Sequence, residues 1–141
     1  MADRAIPAPP AVLLLGVGMG TIEAGCVIRT LEPGEYHDNP LGTVHGGMIA
    51  TLLDSVMGCA VHSMLPAGQG YTTLEFKVNF MRPVGDRTGV VTAAGHAVHV
   101  GRQSAVAEGR LLDAAGKLYA TASTACLVFD VPVGQERRGR V

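Results

Sequence analysis

The chain of 141 residues contains no tryptophan, and aromatic side chains make up only 4% of it. A core must therefore be built from aliphatic and small residues. Charge is also scarce, at 16% of residues with a net value of -1. With no basic field, nothing recommends nucleic acid as a partner. The one basic cluster, Arg137-Arg138-Gly139-Arg140, follows a break at Pro132 and Gly134 and reads as a frayed tail. No apolar run approaches the ~20 residues of a membrane span. Pro7, Pro9 and Pro10 interrupt the N-terminal stretch, which lacks the arrangement of a signal peptide, so the expected location is the cytoplasm, without membrane association. Cys26, Cys59 and Cys126 are odd in number and widely spaced, with no C-x-x-C pair. That argues against a disulfide framework or zinc site and for buried, inert thiols.

What the chain has in quantity is apolar surface, with 48% of its residues hydrophobic. For a chain read as one domain over 1–141, with flexible ends at 1–10 and 132–141, that surplus asks for a subunit interface. Residues 11–15 make at most a short helix, stopped by Gly16. Val17 to Leu31 reads as a hairpin broken near Ala24-Gly25, and Glu35 to Val44 as a polar loop. A long helix over 45–63 follows, ended by Leu65-Pro66-Ala67-Gly68. The period then changes to two: Leu74, Phe76, Val78 and Phe80 alternate with polar neighbours as a half-buried strand. Strand-like runs at Thr88–Val100, Arg102–Leu112 and Leu118–Phe129, the last two joined by Asp113-Ala114-Ala115-Gly116, extend this into an antiparallel meander. The expected class is α+β, a curved antiparallel sheet wrapped around one long central helix.

That helix carries the functional signal. It reads as apolar on every face, so it belongs in the interior, and Asp54 is its only formally charged side chain. A buried carboxylate without a counter-ion favours its protonated form, the direction wanted of a general base; satisfaction by a threonine or by backbone donors is the alternative. At the helix mouth, Asn39-x5-His45-Gly46-Gly47 places glycines where free N–H groups face outward, a ready site for a carbonyl oxygen becoming an oxyanion. Close helix–sheet packing would want the same glycines.

Other motifs carry less. Gly16-Val17-Gly18-Met19-Gly20 lacks a dinucleotide fingerprint's third glycine, since position 21 is Thr21. His37, Asp38, His45 and His62 lack metal-ligand spacing, so no metal is expected.

Gly46 and Asp54 are eight residues apart, about 12 Å along a helix axis and within roughly 80° around it. One small reacting group cannot touch both in one chain. Two helices packed antiparallel about a two-fold would set Gly46 of one beside Asp54 of the other, twice over.

The run Asn39-Pro40-Leu41-Gly42-Thr43-Val44-His45-Gly46-Gly47-x6-Asp54, then Phe80-Met81-Arg82-Pro83 and Gly101-Arg102, resembles the hotdog-fold acyl-CoA thioesterases of the phenylacetic-acid-degradation type. The resemblance implies a long helix wrapped by an antiparallel sheet, dimers often paired into tetramers, and sites at the dimer interface. It implies hydrolysis of acyl-CoA to acid and CoA without a metal or organic cofactor. Asp54 would be general base or nucleophile, and the Gly46 amide would polarise the carbonyl. Asn39 and His45 would orient water or thioester. Thr72 matches a Ser/Thr that holds the water, with Thr73 adjacent to it. Gly47 reads as structural or substrate-facing. Arg82, Arg102 after Gly101, and Lys77 are candidates for the CoA phosphates, and Met48, Met57 and Met81 for the pocket lining. Competing readings are a non-catalytic acyl-CoA-binding module and a hotdog dehydratase or hydratase.

Overall fold

The computed structural model describes residues 8–18 and 20–132. The Arg137–Arg140 tail, Met19 and most of the two ends read as flexible lie outside the described residues, whereas Pro10 already belongs to a helix. The elements run α1 (Pro10–Leu15), β1 (Val17–Gly18), β2 (Ile22–Glu23), β3 (Cys26–Leu31), α2 (Gly46–His62), β4 (Gln69–Phe80), β5 (Val91–Val100), β6 (Ser104–Leu112) and β7 (Leu118–Asp130). Short 3₁₀ turns occupy Glu35–His37 and Asp86–Thr88.

The strands form one antiparallel sheet in the order β1-β3-β5-β6-β7-β4, with β2 also paired to β3. Strands β5, β6 and β7 are the expected meander. Strand β4 then joins β7 out of sequence order and forms one margin of the sheet. The sheet curls around α2 as the periodicity predicted. Every second residue of β6 and β7 (Ala105, Ala107, Leu111; Ala120, Ala122, Cys126, Val128) turns inward onto Leu52, Leu53, Val56, Met57, Ala60 and Val61 of the helix. Small inward residues let the helix lie close. A Cβ on Gly95 of β5 would sit 2.5–2.7 Å from the backbone of Val56 and Met57.

Three expectations change. First, α2 is not buried on every face: Gly47, Thr51 and His62 are exposed and Asp54, Ser55 and Cys59 half-buried, forming a stripe the sheet leaves uncovered. Second, β4 is not half-buried: Leu74 is 64% and Phe80 53% exposed, with Phe76 and Met81 also open. The apolar side chains are there, but nothing among the described residues covers them. Third, Met57 is fully buried beneath Gly109 and belongs to the core rather than to a pocket lining. Of the thiols, Cys126 is buried while Cys26 and Cys59 are half-buried. No helix among the described residues is long and apolar enough to cross a membrane.

Candidate active site

The loop before α2 is held by its own polar groups. Asn39 Oδ1 accepts from the amides of Leu41 (2.9 Å) and Thr43 (3.3 Å), and its Nδ2 donates to Thr43 Oγ1 at 3.0 Å. Gly42, at φ +80°, supplies the left-handed residue this tight loop requires. His37 is buried, at 1% exposure. Its Nδ1 accepts from the Gly34 amide (3.0 Å), so the proton sits on Nε2, which donates to the Leu15 carbonyl at 2.7 Å. Both ring nitrogens are thus engaged, and the His37 carbonyl accepts from the His45 amide at 2.8 Å. The loop therefore delivers His45 and Gly46 to a fixed place.

The first amides of α2 can be accounted for one by one. His45 Nδ1 accepts from Gly47 N–H at 2.8 Å, and the His45 carbonyl accepts from Met48 and Ile49. The Gly46 amide alone has no acceptor among the described residues, at the positive end of the helix dipole. Gly46 lines a cleft of about 250 Å³ with Val44, Ile49, Phe80, Met81, Arg82, Pro83 and Val84. Gly47 is explained locally, since a Cβ there would meet the His45 ring at 2.9 Å. With Nδ1 accepting, His45 carries its proton on Nε2 and keeps that donor free of the helix.

Asp54 does not line this cleft. It is half-buried and accepts from Thr73 Oγ1 at 2.9 Å, so it is neither sealed from water nor without a donor. The threonine alternative is realised, in a position that still leaves a carboxylate oxygen available.

The residue on Asp54 is Thr73, while Thr72 is exposed and pairs with the outward-facing Leu127. The reason is a bulge. Thr73 opposes Cys126 and Glu75 opposes Ala125, so Leu74 is the extra residue. Counting back by twos from Phe80 would turn Thr72 inward. The bulge reverses the alternation and turns Thr73 and Tyr71 inward instead. Nothing in the residue types of β4 announces it.

The basic candidates separate. Arg82 lines the cleft, and its Nε donates to the Leu118 carbonyl at 3.2 Å. Arg102 is exposed in the turn after β5, and Lys77 is exposed opposite Ser123, so neither lines the cleft. Gly101 has a local reason: a Cβ would meet His99 Nε2 at 2.9 Å. Met81 lines the cleft, and Met48 packs half-buried on the core.

Sequence reasoning did not single out Tyr71, which lies over Gly58 one turn beyond Asp54. A Cβ on Gly58 would sit 2.8 Å from its ring carbons. Burial foremost, then the nearby Cys59 and the Asp54 charge, pushes the Tyr71 hydroxyl up to about 12. Burial likewise raises the Cys59 and Cys126 thiols. The signal for Tyr71 was its place two residues before Thr73, on the same face.

Residues 41–120 match the thioesterase superfamily. The chain is 26% identical over 104 residues to a 1,4-dihydroxy-2-naphthoyl-CoA hydrolase of Listeria monocytogenes, covering 74% of this chain and 83% of that protein. Its fold is that of the Escherichia coli PaaI protein from the phenylacetic acid degradation operon (TM-score 0.79, 20% identity, 88% of each chain). It also matches a hypothetical thioesterase protein of Streptococcus pneumoniae solved with coenzyme A (TM-score 0.74, 25% identity, 82% of this chain and 87% of that one). The matched segment carries the helix mouth, Asp54, Thr73 and the cleft, and the chain belongs to the thioesterase superfamily as a hotdog-fold thioester hydrolase.

Proposed function

We propose that the protein hydrolyses acyl-CoA at two equivalent sites, each built where two copies of the chain meet. Gly46 comes from one copy, and Asp54 with Thr73 from the other. The observation that carries this reading is the unbonded Gly46 amide on a cleft that Asp54 does not reach. The uncovered margin supports it. Strand β4 is a 12-residue edge with exposed Leu74, Phe76 and Phe80, a surface that invites pairing with a like edge. A two-fold through Ala50, midway between Gly46 and Asp54, would place each amide beside the partner's carboxylate.

In the proposed reaction the Gly46 amide donates to the thioester oxygen, a bond that strengthens as negative charge develops there. Thr73 occupies one oxygen of Asp54, and the other takes a proton from water. The water oxygen attacks the carbonyl carbon, and the tetrahedral intermediate collapses with breakage of the C–S bond. The thiolate of CoA then receives the proton. Asn39 acts by fixing the loop, and His45 Nε2–H remains a donor for substrate. Arg82, at the cleft, is the best placed cation for a CoA phosphate. The reaction draws only on groups of this chain and needs no metal or organic cofactor.

The test is thiol release from short, long and aryl acyl-CoAs by the wild type and Asp54→Asn. Loss of a general base lowers kcat by about 10²-fold or more with KM little changed. Undiminished hydrolysis by Asp54→Asn would reject the mechanism. A single turnover in ¹⁸O-water detects direct attack. Asp54 would form an anhydride with the acyl group as CoA leaves, and water opening it at the Asp54 carbonyl leaves the label in the Asp54 carboxylate. A general-base reaction puts it only in the product acid.

A further inference from the structure

Helix α2 and strand β4 run antiparallel, beside the stripe of α2 that the sheet leaves uncovered. Phe80 lies against Gly46 at one end, Thr73 bonds Asp54 further along, and Tyr71 lies over Gly58 beyond that. The far end is firmly closed. Gly58 is buried, and the Tyr71 ring sits so close that no side chain at position 58 could fit beneath it. The His62 ring, its centroid 5.6 Å from that of Tyr71, backs it on the next turn. Tyr71 is itself half-buried and packed on the core.

A thioester carbonyl held at Asp54 has two arms to place. In the two-fold arrangement proposed above, on which this inference rests, the partner helix covers that stripe on the Ala50 side of Asp54. The bulky, anionic CoA arm must leave toward solvent. The remaining run along the helix is from Asp54 to Gly58, about 6 Å for four residues. We propose that Tyr71 is the end wall of the acyl pocket and restricts the substrate to compact acyl groups, either a single aromatic ring or a chain of a few carbons. A long fatty acyl chain would run into the ring, which cannot swing down because the Gly58 backbone lies directly beneath it. An aryl acyl group would gain from offset or edge contact with the Tyr71 ring.

The test uses non-hydrolysable S-alkyl thioethers of CoA, with ethyl, butyl, octyl, dodecyl and benzyl groups, titrated calorimetrically into the wild type, Tyr71→Ala, Tyr71→Leu and Tyr71→Phe. Wild type and Tyr71→Phe should bind the butyl and benzyl compounds at least about tenfold more tightly than the dodecyl compound. Tyr71→Ala should abolish that preference, and Tyr71→Leu, which keeps an apolar core contact, should weaken it. Wild-type binding of the dodecyl compound as tight as butyl overturns the proposal. So does an unchanged length profile in a folded Tyr71→Ala or Tyr71→Leu. Turnover of the matching acyl-CoAs is measured in parallel. Length-selective binding without hydrolysis of any thioester would uphold the wall and sink the hydrolytic mechanism. Hydrolysis without length selection would do the reverse.

Discussion

At the scale of single residues, the proposed chemistry rests on two groups, and each is defined by its hydrogen bonds. The Gly46 amide matters because its neighbours are already engaged: Gly47 by the His45 ring, Met48 and Ile49 by the His45 carbonyl. It can be removed selectively. Gly46 is the first residue of the helix, where proline is well tolerated, and His45 at φ -58° and ψ 130° already has the backbone that precedes a proline. Gly46→Pro deletes the donor, and Gly46→Ala adds a similar Cβ, 3.2 Å from the Phe80 ring, while keeping the N–H. The expected outcome is a loss of roughly 10²–10³ in kcat for the proline variant. The alanine variant should lose far less, as measured by steady-state thiol release. Equal losses in both would assign the glycine to steric fit alone. Asp54, likewise, is set by Thr73, which a reader counting in twos along β4 would have passed over for Thr72.

Among the elements, the close approach of α2 to β5 holds against the sheet the helix that carries Gly46 and Asp54. A methyl group at Gly95 would fall within 2.5–2.7 Å of the helix backbone, where no rotamer change relieves it, so the helix must lift. Gly95→Ala should destabilise the fold by about 2–3 kcal/mol, in the range of overpacked cores. The measurement is urea unfolding of the variant against the wild type. A cost below the error of the extrapolation would mean that the helix has slack over the sheet. The elements also show how far pattern reading reached. Period-two alternation found β4, strand-like runs found β5, β6 and β7, and the Pro/Gly break found the end of α2. The bulge at Leu74 stayed hidden because it depends on pairing with β7. The open stripe of α2 was missed because Thr51 and Ser55 were counted as part of an apolar run.

For the molecule as a whole, the decisive question is whether sites are shared. If each site takes Gly46 from one copy and Asp54 from the other, two inactive variants can repair one another. Mixing Gly46→Pro with Asp54→Asn and allowing subunits to exchange makes half the dimers mixed, each with one intact site. Activity should return to about a quarter of the wild-type value. No recovery, with exchange verified by mass spectrometry, would mean that the sites lie within single chains. The uncovered apolar residues of β4 lead to the same expectation, since a monomer would leave them in water.

The sequence by itself determined the class of fold, the position of the central helix, and the identities of Asp54 and Gly46 as the residues to watch. Those follow from periodicity, from glycines at a helix start and from the oddity of a lone carboxylate in an apolar run, all local along the chain. The tertiary structure decided what depends on contacts between distant segments. Thr73 reached Asp54 through a bulge set by pairing with β7, Met57 went to the core rather than the pocket, Arg82 alone of the three cations reached the cleft, and Tyr71 closed over Gly58. Local pattern fixes which residues share an element; only packing fixes which faces meet.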